Sequence, residues 1–135
     1  MISMNELLMG KVKLEDLPQE HQDNLAELLV RANKVREAYA KPMRVTSGYR
    51  SIGDHLRIYR EKGITDQAKI PMKSKHLYGQ AVDFYDPDGA LKNWVMLHMD
   101  LMEEIGLWFE DFTVTTNWCH MQIVSPRSGK RVFMP

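Results

Sequence analysis

The sequence has no excess of charge of either sign and no basic tract. Its 18 lysine and arginine residues balance 18 aspartate and glutamate residues. Proteins that bind nucleic acid usually concentrate basic residues on one face or along one segment. We therefore expect no nucleic-acid partner.

Disulfide chemistry and long apolar segments are also missing. A single cysteine, Cys119, cannot form an internal disulfide, so the fold does not depend on an oxidising compartment. The first residues are interrupted by Glu6, Lys11 and Lys13 before they reach the apolar length of a signal peptide, and no later stretch could span a bilayer. We expect synthesis and folding in the cytoplasm and no insertion into a membrane.

Helical and strand patterns follow one another without repeats or an obvious linker, and 135 residues suit one domain. Apolar residues recur every three or four positions over 18–39 and within 86–106, which predicts two long helices. A shorter helix is predicted over 53–63. Strands are predicted at 43–48, 81–85, 106–110, 117–124 and 130–135. Because most strands come late and are joined by short turns, the pattern favours the α+β class, a small antiparallel sheet with helices packed on it.

Two predicted strands carry a polar residue on the face away from the core. In AVDFY, Asp83 lies opposite to Val82 and Phe84, and His120 lies on the polar face of NWCHMQIV. If these strands are neighbours, the two side chains converge, and His76 in the preceding loop can reach the same face. Two imidazoles and a carboxylate suit zinc, whose catalytic sites use three protein ligands and leave a fourth position for water. On spacing alone, an ordinary surface or hydrogen-bonded role for each residue remains an alternative.

The other chemically reactive residues carry weaker patterns. Strand alternation places Cys119 inward, which predicts an inert buried thiol rather than a ligand or nucleophile. The remaining histidines lie in helical segments without a ligand partner at suitable spacing and are assigned no site: His21, His55 and His98.

Three segments together resemble one enzyme family: VTSGYRS at 45–51, SKHLYGQAVD at 74–83 and NWCHMQ at 117–122. They are similar to the zinc D,D-peptidases of the M15 type, a group that includes D-alanyl-D-alanine carboxypeptidases, D-Ala-D-Ala dipeptidases and phage endolysin peptidases. The motif Ser-x-His-x-x-Gly-x-Ala-x-Asp is matched by Ser74, His76, Gly79, Ala81 and Asp83. The resemblance covers residues 43–135 of a single domain spanning 1–135, and the tail is especially similar to small single-domain phage members. Residues 1–42 carry no motif that we can place.

The resemblance implies a hedgehog/D,D-peptidase-like fold and a zinc ion held by His76, Asp83 and His120. It also implies that Arg50 lies beside the reacting carbonyl, where a guanidinium suits the negative charge of a tetrahedral intermediate. A surface salt bridge is the alternative for this residue. Substrate contacts are assigned to Ser74, Trp118 and Gln122.

The sequence departs from the family pattern at the general base. Several members have an acidic residue three positions before the last histidine, where this chain has Asn117, which cannot accept a proton from water. Glu110 and Asp111 are the nearest acidic candidates, and we prefer Glu110 because it ends a predicted strand, whereas Asp111 can equally be a turn residue. The alternative is that Glu110 and Asp111 are both solvated loop carboxylates and neither is the base.

Two functions follow, and they belong to different classes. The first is a zinc peptidase that cuts peptidoglycan stem peptides or cross-links at bonds involving D-amino acids, in phage lysis or wall remodelling. The second is a zinc-containing wall-binding or virion structural module without catalysis, which Asn117 favours. In either case we expect the protein to meet the cell wall after its release from the cytoplasm or as part of a phage particle. The pattern predicts neither the oligomeric state nor the bond that is cut.

Overall fold

The computed structural model describes residues 1–135 and contains five α-helices and one five-stranded sheet. The helices are α1 (Met4–Leu7), α2 (Gln19–Tyr39), α3 (Ile52–Glu61), α4 (Ala90–Leu97) and α5 (Met99–Ile105). The strands are β1 (Val45–Ser47), β2 (Ala81–Tyr85), β3 (Trp108–Glu110), β4 (Trp118–Gln122) and β5 (Val132–Phe133). Short 3₁₀ turns lie at Leu14–Asp16, Gln67–Lys69 and Lys75–Tyr78. None of the helices combines the length and the apolar character that a membrane crossing needs. The α+β class predicted from the sequence is confirmed.

The core is formed by the apolar stripe of α2, the apolar faces of α4 and α5, and one face of the sheet. The α2 stripe is fully buried at Leu25, Leu28, Ala32 and Val35. The inward sheet face contributes five side chains with no exposed surface: Val82, Phe84, Phe109, Cys119 and Met121. Burying this apolar area is the main stabilising contribution to such a fold. Because side chains alternate along a strand, the opposite sheet face is left for polar residues.

The sheet has the strand order β1-β2-β4-β3-β5 and is mixed rather than wholly antiparallel. The pairs β1–β2, β2–β4 and β3–β4 are antiparallel, as expected, but β5 runs parallel to β3. Both edges of β4 are already occupied, and the returning chain pairs with the free edge of β3. A strand that returns antiparallel to β4 then runs parallel to β3.

The second long helix predicted within 86–106 is divided at His98 into α4 and α5. The imidazole Nδ1 of His98 donates to the carbonyl of Trp94 at 2.6 Å, and the rings of these two residues are stacked at 4.2 Å. That carbonyl is the acceptor that the His98 backbone N–H would use in a continuous helix. The backbone N–H bonds instead to Val95 O, and the helix breaks.

Candidate metal centre

The strand register places four polar residues in one row across the sheet face that points away from the core. Ser47 on β1 pairs with Asp83 on β2, and Asp83 pairs with His120 on β4. The β3–β4 register, continued by one residue, brings Glu110 beside His120. The strands β2 and β4 are direct neighbours, so Asp83 and His120 lie side by side, as the sequence predicted for neighbouring strands.

His76 joins this row from the 3₁₀ turn that precedes β2. Its Nε2 lies 3.3 Å from Asp83 Oδ2, while His120 Nδ1 lies 2.8 Å from Asp83 Oδ1. One ligand atom from each of the three residues lies within 4.8 Å of the others. The two imidazoles are almost fully buried, and the Asp83 side chain keeps 13% of its surface exposed. The structure thus brings together all three residues that the family resemblance assigns to zinc.

Both histidines are oriented by a second hydrogen bond on the far side of the ring. His76 Nδ1 donates to the Gly48 carbonyl at 2.9 Å. His120 Nε2 donates to Gln122 Oε1 at 2.8 Å, and the Gln122 amide nitrogen donates in turn to Val124 O at 2.8 Å. Histidines that bind metals almost always donate their other nitrogen to such an acceptor, which fixes the tautomer. The donor set and its outer hydrogen bonds therefore fit a zinc ion.

The electrostatics of the three residues favour a charged carboxylate. Burial alone would raise the pKa of Asp83, but the charges and hydrogen bonds of His76 and His120 outweigh it and hold that pKa well below its ordinary value. Burial alone would lower the pKa of His120, but its bond to Asp83, with a smaller contribution from Glu110, raises it. Asp83 is thus held ionised, as a metal ligand must be.

Glu110 is the acidic residue that reaches this centre. Its Oε1 lies 3.6 Å from His120 Nδ1, and its side chain is 23% exposed, so water can approach it. Asp111 instead accepts hydrogen bonds from the backbone and hydroxyl of Thr113, which closes a turn and lowers its pKa. Asn117 is exposed and lies ahead of β4, with its carbonyl bonded to Asp86 N.

Arg50 lies beside the row, in the loop between β1 and α3. Its Nη2 donates to Ser47 Oγ at 3.0 Å, and its Nη1 donates to His55 Nδ1 at 3.3 Å. Its Nε is buried and makes no hydrogen bond. No carboxylate pairs with this guanidinium, so the surface salt bridge considered as an alternative is absent.

Two hydrogen bonds connect the loop that carries Arg50 to the turn that carries His76. Arg50 N donates to His76 O at 3.1 Å, which complements the bond from His76 to Gly48. The N-terminal segment holds the same loop from behind, because Tyr49 N donates to Leu7 O at 2.7 Å. A Cβ on Gly48 would lie 2.1 Å from that carbonyl oxygen, so only glycine fits there. Residues 1–42 therefore position the site although they carry no motif.

The three residues assigned to substrate lie in different surroundings. Ser74 is half-buried at the start of the 3₁₀ turn, and its hydroxyl makes no hydrogen bond within the protein. Trp118 is half-buried on the face of His120, about 7 Å along the strand by normal strand rise. Gln122 is only 3% exposed, and both ends of its amide are bonded inside the protein. Its amide oxygen bonds to His120 Nε2, on the side of the ring away from Asp83. Gln122 therefore supports His120, whereas a contact with substrate was expected.

Two contacts of the site were not predicted from the sequence. His55 was assigned no role, yet it is fully buried and bonded to Arg50. The bond depends on how the chain turns from β1 into α3, and spacing along the sequence does not show that. The support that Gln122 gives to His120 is different, because residues two apart on one strand share a face, so the pattern could have shown it.

Two imidazoles and a carboxylate beside a second, solvent-accessible carboxylate form a group that could hold a metal ion, and hydrolytic metal sites use such donor sets. The family model of Peptidase M15 matches residues 2–121, and the chain belongs to that metallopeptidase family. The predicted resemblance is confirmed, and the match reaches further toward the N-terminus than the motifs do, so it includes α1 and α2. Neither curated proteins nor solved structures give a significant match.

Proposed function

We propose that the protein is a zinc peptidase that hydrolyses peptidoglycan stem peptides or cross-links at bonds involving D-amino acids. Membership of the Peptidase M15 family supports peptide hydrolysis. The cluster of His76, Asp83 and His120 supports a bound metal. The substrate class rests on the likeness of the SGYRS and SKHLYGQAVD segments to D,D-peptidases.

The observation that carries the catalytic function is the position of Glu110. Asn117 cannot serve as a base, which had favoured a module without catalysis. Glu110 supplies a carboxylate within 3.6 Å of an imidazole nitrogen that faces the cluster. A binding module would have no need of such a group, whereas peptide hydrolysis requires a proton acceptor near the attacking water.

Each protein group has a defined task in this proposal. A zinc ion bound by His76, Asp83 and His120 would lower the pKa of a water molecule and polarise the scissile carbonyl. Glu110 accepts the proton of the attacking water and delivers it to the leaving amine. Arg50 donates hydrogen bonds to the oxyanion that develops at the carbonyl. Trp118 and Ser74, each two residues before a proposed metal ligand, contact the peptide.

The biological setting that we propose is phage lysis or remodelling of the cell wall. The protein would be made in the cytoplasm and would reach peptidoglycan after its release or as part of a phage particle. The experiment that tests the activity is incubation of the purified protein with purified peptidoglycan of several wall types. Mass analysis of the released peptides, with and without a chelator, identifies the bond that is cut and its dependence on metal.

Glu110→Gln and Asp111→Asn form a matched pair that tests the catalytic base. Glu110→Gln keeps the size of the side chain but cannot accept a proton, so turnover should fall by about 10²- to 10⁴-fold while zinc content stays at the parent level. Asp111→Asn should stay within a few-fold of the parent. A larger loss in Asp111→Asn would assign the base to Asp111. A parent protein that binds zinc but releases no peptide from any wall type would support the binding module instead.

A further inference from the structure

We propose that His55 is a positioning residue that sets the orientation of the Arg50 guanidinium through its Nδ1 atom. The inference rests on the proposed function, because Arg50 stabilises an oxyanion only in that reaction. His55 lies in the first turns of α3, is fully buried, and accepts a hydrogen bond from Arg50 Nη1 at 3.3 Å. It is not one of the three residues that form the metal cluster.

The hydrogen bonds of His55 fix its tautomer. Its Nε2 lies 2.7 Å from the carbonyl of Pro71, which can only accept, so Nε2 carries the proton. Nδ1 is then left as an acceptor, which is what a guanidinium requires, since arginine has donors only. Burial lowers the pKa of His55, the hydrogen bond to Pro71 O opposes this in part, and the nearby charge of Arg50 lowers the pKa further, so the neutral ring is the form that makes this bond.

Two acceptors hold the guanidinium from two directions. Ser47 Oγ takes one hydrogen of Nη2, and His55 Nδ1 takes one hydrogen of Nη1. Each Nη atom keeps a second hydrogen for a further acceptor. Donors that are fixed before the reaction stabilise a developing charge better than donors that must reorient, and a misplacement of about 1 Å can lower a rate about 10²-fold.

Replacing His55 by asparagine or by glutamine distinguishes a role in orienting Arg50 from a role in packing alone. The amide of an asparagine occupies nearly the place of Nδ1, so His55→Asn keeps an acceptor for Arg50. The amide of a glutamine extends toward Pro71, so His55→Gln keeps that contact and loses the acceptor for Arg50. We expect kcat to fall by about 10- to 100-fold in His55→Gln with KM within about two-fold, since a group that acts in the transition state changes kcat. His55→Asn should recover most of the parent kcat.

His98 offers a control, because its Nδ1 also makes a hydrogen bond within the protein, to Trp94 O, but its side chain lies on the exposed surface between α4 and α5. His98→Asn and His98→Gln should both match the parent kcat. The double variant Arg50→Lys/His55→Gln should be no slower than Arg50→Lys alone, because the two changes remove one shared interaction. Equal losses in His55→Asn and His55→Gln, or additive losses in the double variant, would refute the positioning role.

A second measurement does not depend on turnover. Hydrogen bonds to Ser47 and His55 should slow rotation of the Arg50 guanidinium about its Nε–Cζ bond, so NMR of the ¹⁵N-labelled protein should give separate Nη signals. We expect these signals in the parent and in His55→Asn but averaged signals in His55→Gln. Unchanged signals in His55→Gln would overturn the inference. If the parent releases no peptide, the proposed function fails, and the NMR comparison alone decides whether His55 holds Arg50.

Discussion

Gln122 shows how one residue can serve the metal centre without facing it. Its amide accepts from His120 Nε2 and donates to Val124 O, so neither end is free to rotate. This arrangement turns the amide oxygen, and not the amide nitrogen, toward the ring and leaves His120 Nδ1 directed toward Asp83. Loss of an outer partner of this kind typically lowers metal affinity about 10- to 100-fold.

Gln122→Leu should therefore weaken zinc binding by about 10- to 100-fold, because His120 Nε2 would lose its acceptor in a buried place. Gln122→Glu keeps an oxygen at that place and should bind zinc more tightly than Gln122→Leu. Competition with a chromophoric chelator measures both affinities, and circular dichroism confirms that each variant is folded. Equal affinity in the parent and in Gln122→Leu would show that this hydrogen bond does not support the metal.

The loop from β1 to α3 is the element on which the site depends most. It is fixed on one side by His76, through bonds to Gly48 and from Arg50, and on the other side by Leu7 of α1. The loop therefore couples the N-terminal helix to a proposed metal ligand. Packing at Gly48 is so close that the backbone of α1 and the backbone of the loop are in contact.

Gly48→Ala tests this element, since the added Cβ would lie 2.1 Å from the Leu7 carbonyl oxygen and must displace backbone. We expect a loss of about 1–3 kcal/mol in the free energy of unfolding, together with weaker zinc binding because the Gly48 carbonyl orients His76. Gly53→Ala is the matched control, because a Cβ there meets nothing within 4 Å. It should be neutral or stabilising by about 0.4–1 kcal/mol. Denaturant unfolding with and without zinc measures both; identical behaviour of the two variants would contradict the close contact.

At the scale of the whole molecule, the sequence predicts those parts of the fold and site that depend on local periodicity. The α2 helix follows its apolar stripe, and Asp83 and His120 share a sheet face because strand alternation requires it. Glu110 is adjacent to His120 only because β3 pairs with the free edge of β4, and strand order cannot be obtained from alternation. The break at His98 depends on a single side-chain bond, which the helical period does not show.

The Asp83–His120 pair also makes the stability of the whole molecule depend on pH when a chelator removes metal. Because the folded-state pKa of Asp83 is lowered, its contribution is present above its unfolded pKa of about 4 and is lost as the pH falls. Because the folded-state pKa of His120 is raised, its contribution is present below its unfolded pKa of about 6.5 and is lost as the pH rises through the raised value. The two conditions overlap between about pH 4 and pH 6.5.

In EDTA, we therefore expect the parent to have a higher free energy of unfolding than Asp83→Asn. This margin should be largest in that weakly acidic window and smaller at pH 8. Asp83→Asn is the appropriate reference because it removes the charge but keeps the shape, so the acid sensitivity of all other groups cancels in the difference. Zinc should show the opposite trend, since a metal ion must displace the proton from His120 and binds more tightly as the pH rises. Denaturant titrations at pH 5, 6.5 and 8, each with EDTA and with zinc, measure both trends. A margin in EDTA that keeps growing toward pH 8 would mean that His120 does not hold a proton against Asp83, and the electrostatic account of the centre would be wrong.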